Sequence, residues 1–197
     1  IDADLVSTDN FWGARLGTRN LLATGCRSIA FLSGHLSAST SRERMAGCQA
    51  ALKEQGLELE RRRTLEGPFT EEFGYAAAQR LLGSGAKVDG FFVANDPITV
   101  GVIRAIRDAG RRIPEDIRIC TFDDPDIPPL HRVPLIVVRQ PRREAGRKAG
   151  EIVLARIRER VQGTTAAPFS TGRLQAKVAS PFPSTELEPA ETMESTS

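Results

Sequence analysis

Three groups of polar side chains, suited to binding a small molecule, each follow an apolar, strand-like run of this sequence. They occupy residues 37–44, 95–96 and 123–126. The first cluster holds Arg44, whose guanidinium offers a planar fork of donors suited to a pair of hydroxyls or to a carboxylate. A cation in the first turn of a helix faces the positive end of the helix dipole. This unfavourable placement favours a ligand contact over a merely solvated arginine.

The same clusters contain residues with purely structural interpretations. Thr40 and Glu43 match a capping box, in which the hydroxyl accepts from a free backbone N–H and the carboxylate reaches back. Asp96 is expected to cap the helix that follows it, and Asp124 to cap a loop. Asp123 directly follows a buried run and is placed to pair with Arg44.

Alternating apolar runs and helical patterns position these clusters. Nearly continuous apolar runs, typical of strands buried on both faces, lie at residues 28–34, 88–96, 117–124 and 134–140. Helical spacing lies at residues 11–24, 41–55, 71–83, 96–109 and 142–161. The alternation predicts an α/β domain with a doubly wound parallel sheet. In such sheets, ligands bind beyond the carboxyl ends of the strands, where the polar clusters lie.

Composition narrows the function classes. The 197 residues carry a net charge of +2, and no apolar run is long enough to span a bilayer. The start has no basic and apolar signal segment, so a cytoplasmic location is expected. Three scattered cysteines, Cys26, Cys48 and Cys120, predict free buried thiols and neither a disulfide framework nor a metal site.

Enzyme interpretations rank behind a binding module. The acidic stretch "DDPD" and His35 at a strand end are candidates for acid/base or metal chemistry. However, no G-x-S-x-G elbow, phosphate loop or dinucleotide fingerprint accompanies them. We therefore expect neither catalytic residues nor a cofactor. The arginines of the 142–161 helix alternate with glutamates, which favours a solvated face over a nucleic-acid surface.

Four stretches match a known family together, in order and in spacing. They are "DNFWGARLGTRNLLATGCRSIAFLSG", "SRERMAGCQAAL", "GFFVANDPITVGVIRAIRDAGRRIPEDIRICTFDD" and "PPLHRVPLIVVRQPRREAGRKA". Over about residues 8–178, the chain resembles the effector-binding core of the lactose-repressor/galactose-repressor (LacI/GalR) transcriptional regulators. The resemblance implies a periplasmic-binding-protein-like (type I) fold, in which a small ligand binds between two α/β lobes.

The resemblance also implies how the lobes divide the chain. The prediction is a complete C-terminal lobe plus part of the N-terminal lobe. The predicted segments are an N-lobe remnant at 1–24, the C-lobe at 25–138, a return helix at 139–163, a final C-lobe strand region at 164–180 and a disordered tail at 181–197. The helix-turn-helix of the full-length regulators has no counterpart here. Operator DNA is therefore expected to bind only through that missing part.

Family positions suggest an effector site. Carried over residue by residue, the resemblance implies that the effector contacts Arg44, Asp123, Asn95, Phe69, Thr40 and Gln140. It implies a sugar or sugar-like effector and a homodimer formed through the C-terminal lobe, for which Leu130 and the faces near 71–82 and 98–106 are candidates. The alternatives are a stand-alone solute-binding protein of the same fold and a truncated, nonfunctional paralogue.

Overall fold

The computed structural model describes residues 4–123, 132–163 and 170–182, and every structural statement below concerns these ranges. Its helices are α1 (Asn10–Ala23), α2 (Ser39–Lys53), α3 (Glu71–Gly83), α4 (Asp96–Asp108) and α5 (Arg142–Gln162). Its strands are β1 (Leu5–Thr8), β2 (Ile29–Gly34), β3 (Thr64–Gly67), β4 (Gly90–Val93), β5 (Arg118–Phe122), β6 (Ile136–Arg139), β7 (Ser170–Leu174) and β8 (Lys177–Ala179).

Six strands form the main sheet in the order β3-β2-β4-β5-β6-β8. All neighbours are parallel except β8, which pairs antiparallel with β6. Successive side chains of a strand point to opposite faces, so Phe91 and Phe92 enter two different cores. Helices α3 and α4 cover one face, and α1 and α2 cover the other. The predicted doubly wound α/β architecture is thereby confirmed.

One helix, α3, begins at an ordinary side-chain cap, whereas α2 and α4 begin differently from the predicted caps. Thr70 caps α3, accepting from the backbone N–H of Phe73 at 3.3 Å. The predicted capping box of α2 is wrong, because the helix begins at Ser39 with Ala38 at the cap and Thr40 exposed in its first turn. The predicted cap of α4 is also wrong, because Asn95 occupies that position. An Asn side chain caps as well as an Asp, so sequence alone did not separate the two neighbours.

A second, two-stranded sheet pairs β1 with β7 in parallel, with α5 packed beside β1. The chain crosses between the two sheets after β1, after β6 and after β7. Helix α1, which the prediction assigns to the N-lobe remnant, packs on the main sheet against β5 and β6. All of the domain boundaries given above stay predictions.

Helix α5 combines an ion-paired face with an exposed apolar stripe. Arg147 pairs with Glu151 at 2.5 Å, and Lys148 pairs with Glu144 at 3.5 Å, as the interleaved charges predict. Val153 and Ile157 are more than half exposed beside β1. Within the described ranges, no helix combines the length and the hydropathy that a bilayer crossing requires.

Several predictions concern residues outside the described ranges. These are Asp124, Leu130, residues 164–169 of the predicted final C-lobe strand region and the part of the predicted tail beyond residue 182. The apolar side chains of α3 and α4 that were candidates for a dimer surface, including Leu81, Val102 and Ile106, lie in the core.

Candidate functional site

Arg44 lies buried at the carboxyl end of the main sheet. Only 7% of the residue is exposed, and its guanidinium stacks on Phe122, with Cζ 3.8 Å from the ring centroid. Its Nε donates to Asn10 Oδ1 at 2.9 Å, and its Nη1 donates to the carbonyl of Ala94 at 2.5 Å. The side chain is therefore held in one orientation by an aromatic face and two acceptors.

Burial makes the charge of Arg44 costly. Loss of solvent lowers the pKa of Arg44 to about 10, against the opposing attraction of Asp123 and then of Glu43. Strongly perturbed groups of this kind are typical of binding and catalytic sites. Arg44 therefore remains protonated at neutral pH, as a poorly solvated cation at the carboxyl end of the sheet.

Asp123 is held at the end of β5 in an unusual backbone conformation. Its φ of 96° is the only positive value of a non-glycine residue within the described ranges. Such a conformation costs about 1–3 kcal/mol and is retained mainly at functional positions. Its Oδ1 accepts from Gln140 Nε2 and lies 3.7 Å from an Arg142 nitrogen. Electrostatic attraction links Asp123 to Arg44, while its closest contacts are with Gln140 and Arg142.

Gln140 stands where the chain leaves β6 for the second sheet. Its Nε2 donates to Asp123, and its Oε1 accepts from the hydroxyl of Thr8 at 2.9 Å. Thr8 is the last residue of β1. Gln140, itself predicted to contact the effector, therefore connects Asp123 to the end of β1, where the chain first crosses to the main sheet.

Two of the predicted residues lie at the same sheet edge without joining the Arg44 network. Asn95 follows β4 directly after Ala94, but its Oδ1 accepts from the N–H of Ile98 at 3.1 Å. Its role in the ligand-free protein is that of a helix cap. Thr40 is exposed one turn before Arg44 on α2, which leaves its hydroxyl accessible.

Phe69 forms an aromatic surface over the end of β2. The ring lies so close to Gly34 that a Cβ built on this glycine would stand 2.1 Å from Phe69 Cζ. The side chain is nevertheless 43% exposed.

Sequence reasoning missed Asn10, which is 4% exposed and central to the site. Its Oδ1 accepts from Arg44, and its Nδ2 donates to Glu43 Oε2 at 3.2 Å and to the carbonyl of Thr8 at 3.1 Å. The sequence offered one signal for this residue: Asn10 follows Asp9, which already caps α1, so the carboxamide of Asn10 is not needed as the cap. Phe122 was also missed, since a buried strand phenylalanine looks like core.

The cysteines take no part in this site. Cys26, Cys48 and Cys120 are buried and free. Burial raises the pKa of Cys48 to about 12 and raises that of Cys120 as well, so both thiols stay protonated. Across the part of the chain that the structure describes, no cluster of three His, Cys, Asp or Glu side chains is arranged to hold a metal ion.

The sequence of this chain matches one known protein family and several curated regulators. The model of the periplasmic binding protein-like domain matches residues 18–173. The repressor PurR of Haemophilus influenzae is 32% identical over 162 residues, which is 82% of this chain and 48% of PurR. The regulator CelR of Thermobifida fusca is 32% identical over 163 residues, or 83% of this chain and 47% of CelR. The chain thus spans about half the length of these curated relatives.

Solved structures agree with this placement. The complex of the transcriptional regulator CelR with cellobiose superposes with a TM-score of 0.79 at 30% identity, covering 90% of this chain and 53% of CelR. The regulator CcpA of Lactococcus lactis superposes with a TM-score of 0.74 at 29% identity, covering 89% and 62% of the two chains.

Proposed function

Because this chain belongs to the periplasmic binding protein-like family of LacI-type regulator sensor domains, we propose that it is the effector-sensing part of a transcriptional regulator. The effector is a sugar or sugar-like metabolite captured at the carboxyl edge of the main sheet. The observation that carries this proposal is the buried Arg44 guanidinium, which stacks on the Phe122 ring and is attracted by the Asp123 carboxylate.

The chemistry of the three groups suits a polyol. The guanidinium donates to hydroxyl oxygens, and the carboxylate accepts from hydroxyl hydrogens. The exposed ring of Phe69 offers a flat apolar surface for the C–H face of a pyranose. A cation and an anion together also leave the site close to neutral, which favours an uncharged ligand over a strongly anionic one.

The proposed mechanism is a shift between lobe arrangements. A ligand that contacts both Arg44, on a helix packed against the main sheet, and groups on the second sheet stabilises one relative position of the sheets. In the intact regulator, this position sets operator affinity through a DNA-binding part, as linkage requires. Action in the cytoplasm and homodimerisation through the larger lobe belong to the same proposal.

The exposed apolar stripe of α5 fits a role within a larger protein. A two-stranded parallel sheet with one helix buries little apolar surface, and parallel sheets normally have both faces covered. Val153, Leu154, Ile157 and Leu5 are all more than half exposed. We infer that further polypeptide of the regulator covers this stripe.

Thermal-shift titration with a panel of sugars and purine bases, cellobiose included, tests the function. We expect at least one sugar to raise the melting temperature of the wild-type chain. Arg44→Met should abolish that rise. Arg63→Met is the matched control, because Arg63 is equally buried but lies before β3, at the opposite edge of the sheet.

Three outcomes are decisive. A sugar-dependent rise that is lost in Arg44→Met and kept in Arg63→Met supports the proposal. A rise kept in Arg44→Met places the ligand elsewhere and contradicts the site. A response to purine bases alone contradicts the assignment of the ligand class.

A further inference from the structure

Three side chains, those of Asn10, Glu43 and Arg173, connect the Arg44 guanidinium to the second sheet in an unbroken line of polar contacts. Arg44 Nε donates to Asn10 Oδ1 at 2.9 Å, and Asn10 Nδ2 donates to Glu43 Oε2 at 3.2 Å. The other carboxylate oxygen of Glu43 accepts from Arg173 Nη2 at 2.8 Å. The line therefore runs from the buried cation of Arg44 to the half-exposed cation of Arg173 on β7.

The charges at both ends fix the orientation of Asn10. Its carbonyl oxygen faces a cation, and its amide nitrogen faces an anion. Turning the amide over would place the nitrogen donors against the guanidinium and the oxygen against the carboxylate, which breaks both contacts. Asn10 is also 4% exposed, so water is poorly placed to substitute for either partner.

The line crosses from one sheet to the other at a single contact. Asn10 begins α1, and Glu43 and Arg44 lie on α2, and both of these helices pack on the main sheet. Arg173 lies on β7, which pairs only with β1 in the two-stranded sheet within the described ranges. The Glu43–Arg173 ion pair is thus a side-chain contact between the two sheet layers.

We propose that Asn10, Glu43 and Arg173 form a relay that couples the position of the Arg44 guanidinium to the position of β7. Asn10 acts as a positioning residue, and the Glu43–Arg173 pair acts as a latch between the layers. This inference rests on the proposed function for its ligand but makes a claim that the ligand-free protein can test.

The relay gives ligand capture a defined physical consequence. A ligand that draws the guanidinium away from Asn10 leaves the amide free to turn, and Glu43 then loses a neutral donor next to Arg173. Coupling of this kind is reciprocal, so a change at Arg173 must be felt at Arg44 to the same extent.

Hydrogen exchange of the ligand-free full chain tests the relay from both ends. In Arg44→Gln we read exchange of residues 170–175, and in Arg173→Gln we read exchange of residues 39–46. Each distant segment should exchange about twofold faster, in line with the modest energy of a partly exposed ion pair. Arg147→Gln is the control, since it removes an exposed ion pair with Glu151 on α5 and should leave both segments unchanged.

Asn10→Asp separates coupling from simple loss of structure. The new carboxylate keeps an acceptor for Arg44 but loses the donor to Glu43 and repels it. In this background, Arg44→Gln should no longer change exchange at 170–175. Effects of Arg44→Gln and Arg173→Gln that stay confined to their own segments overturn the relay.

A ligand arm distinguishes failure of the relay from failure of the proposed function. If cellobiose or another sugar protects residues 39–46 in the wild type but leaves 170–175 unchanged, the relay is wrong and the sensor function stands. If no sugar in the panel changes exchange while the ligand-free coupling is present, the sugar-sensing function is wrong and the relay stands.

Discussion

Replacing Arg44 by Met should destabilise the protein by less than about 3 kcal/mol while abolishing ligand capture. Buried arginines normally stabilise through their partners, and removing one member of a buried pair costs about 3–5 kcal/mol. Arg44 differs because its burial is itself unfavourable. Its pKa of about 10 lies well below the ordinary value of an arginine, which means that the folded environment disfavours the charged form by about 3 kcal/mol.

The hydrogen bonds that Arg44→Met breaks oppose this gain in stability. Met removes the donors to Asn10 Oδ1 and to the Ala94 carbonyl, and hydrogen bonds to a charged group contribute about 1.5–3 kcal/mol each. Its thioether can still lie over the Phe122 ring in place of the guanidinium. Because the two hydrogen bonds together contribute about 3–6 kcal/mol, the net loss expected for Arg44→Met lies between about 0 and 3 kcal/mol.

Urea denaturation followed by far-UV circular dichroism measures the difference, provided that the slope of the transition is the same for both proteins. Arg63→Met, which breaks the 2.9 Å pair between Arg63 and Glu60, should lose about 1–3 kcal/mol in the same assay. A loss of 3 kcal/mol or more in Arg44→Met would refute the reasoning, because it would make Arg44 a structural residue.

Two further changes test the aromatic surface and the buried thiols. Gly34→Ala should displace the Phe69 ring into solvent, weakening the sugar-dependent thermal shift while costing under about 1 kcal/mol of stability; Gly83→Ala, which meets open space, is the control, and an undiminished shift in Gly34→Ala contradicts a role for the ring. Because the folded state holds the proton of Cys48 to about pH 12 and the unfolded chain releases it near pH 9, the stability contributed by this thiol is fully present below pH 9 and declines above it. Cys48→Ala should flatten the fall in unfolding free energy between pH 9 and 10 by about 1 kcal/mol per pH unit, and an unchanged slope contradicts this.

Local patterns accounted for strands β2, β4, β5 and β6 of the main sheet and for the four helices that cover it. Helix α4 illustrates why. Its two signals, Pro97 in the first turn and Gly110 just beyond the end, lie in the helix or directly beside it. Strands β1 and β3 were not predicted, because each has four residues and a mixed pattern. Such edge strands are defined by pairing with partners distant in the chain, as β1 pairs with β7.

The residues of the candidate site also separate into those that local sequence patterns predicted and those that they did not. Arg44 and Asp123 were predicted because each follows a strong apolar run, and the carboxyl ends of parallel strands must meet at one edge. Their actual neighbours were not predictable. Asn10 and Arg44 are separated by 34 positions, and nothing in the surroundings of either residue indicates the other.

By itself, the sequence determined the fold class, the order of most elements and the edge at which polar groups gather, since periodicity, caps and strand direction are local properties. Tertiary structure alone decided that Arg44 is buried against Phe122, that Asn95 caps a helix and that Glu43 reaches Arg173. These facts depend on which side chains compete for the same space and the same donors, and that competition arises only when distant segments are packed together.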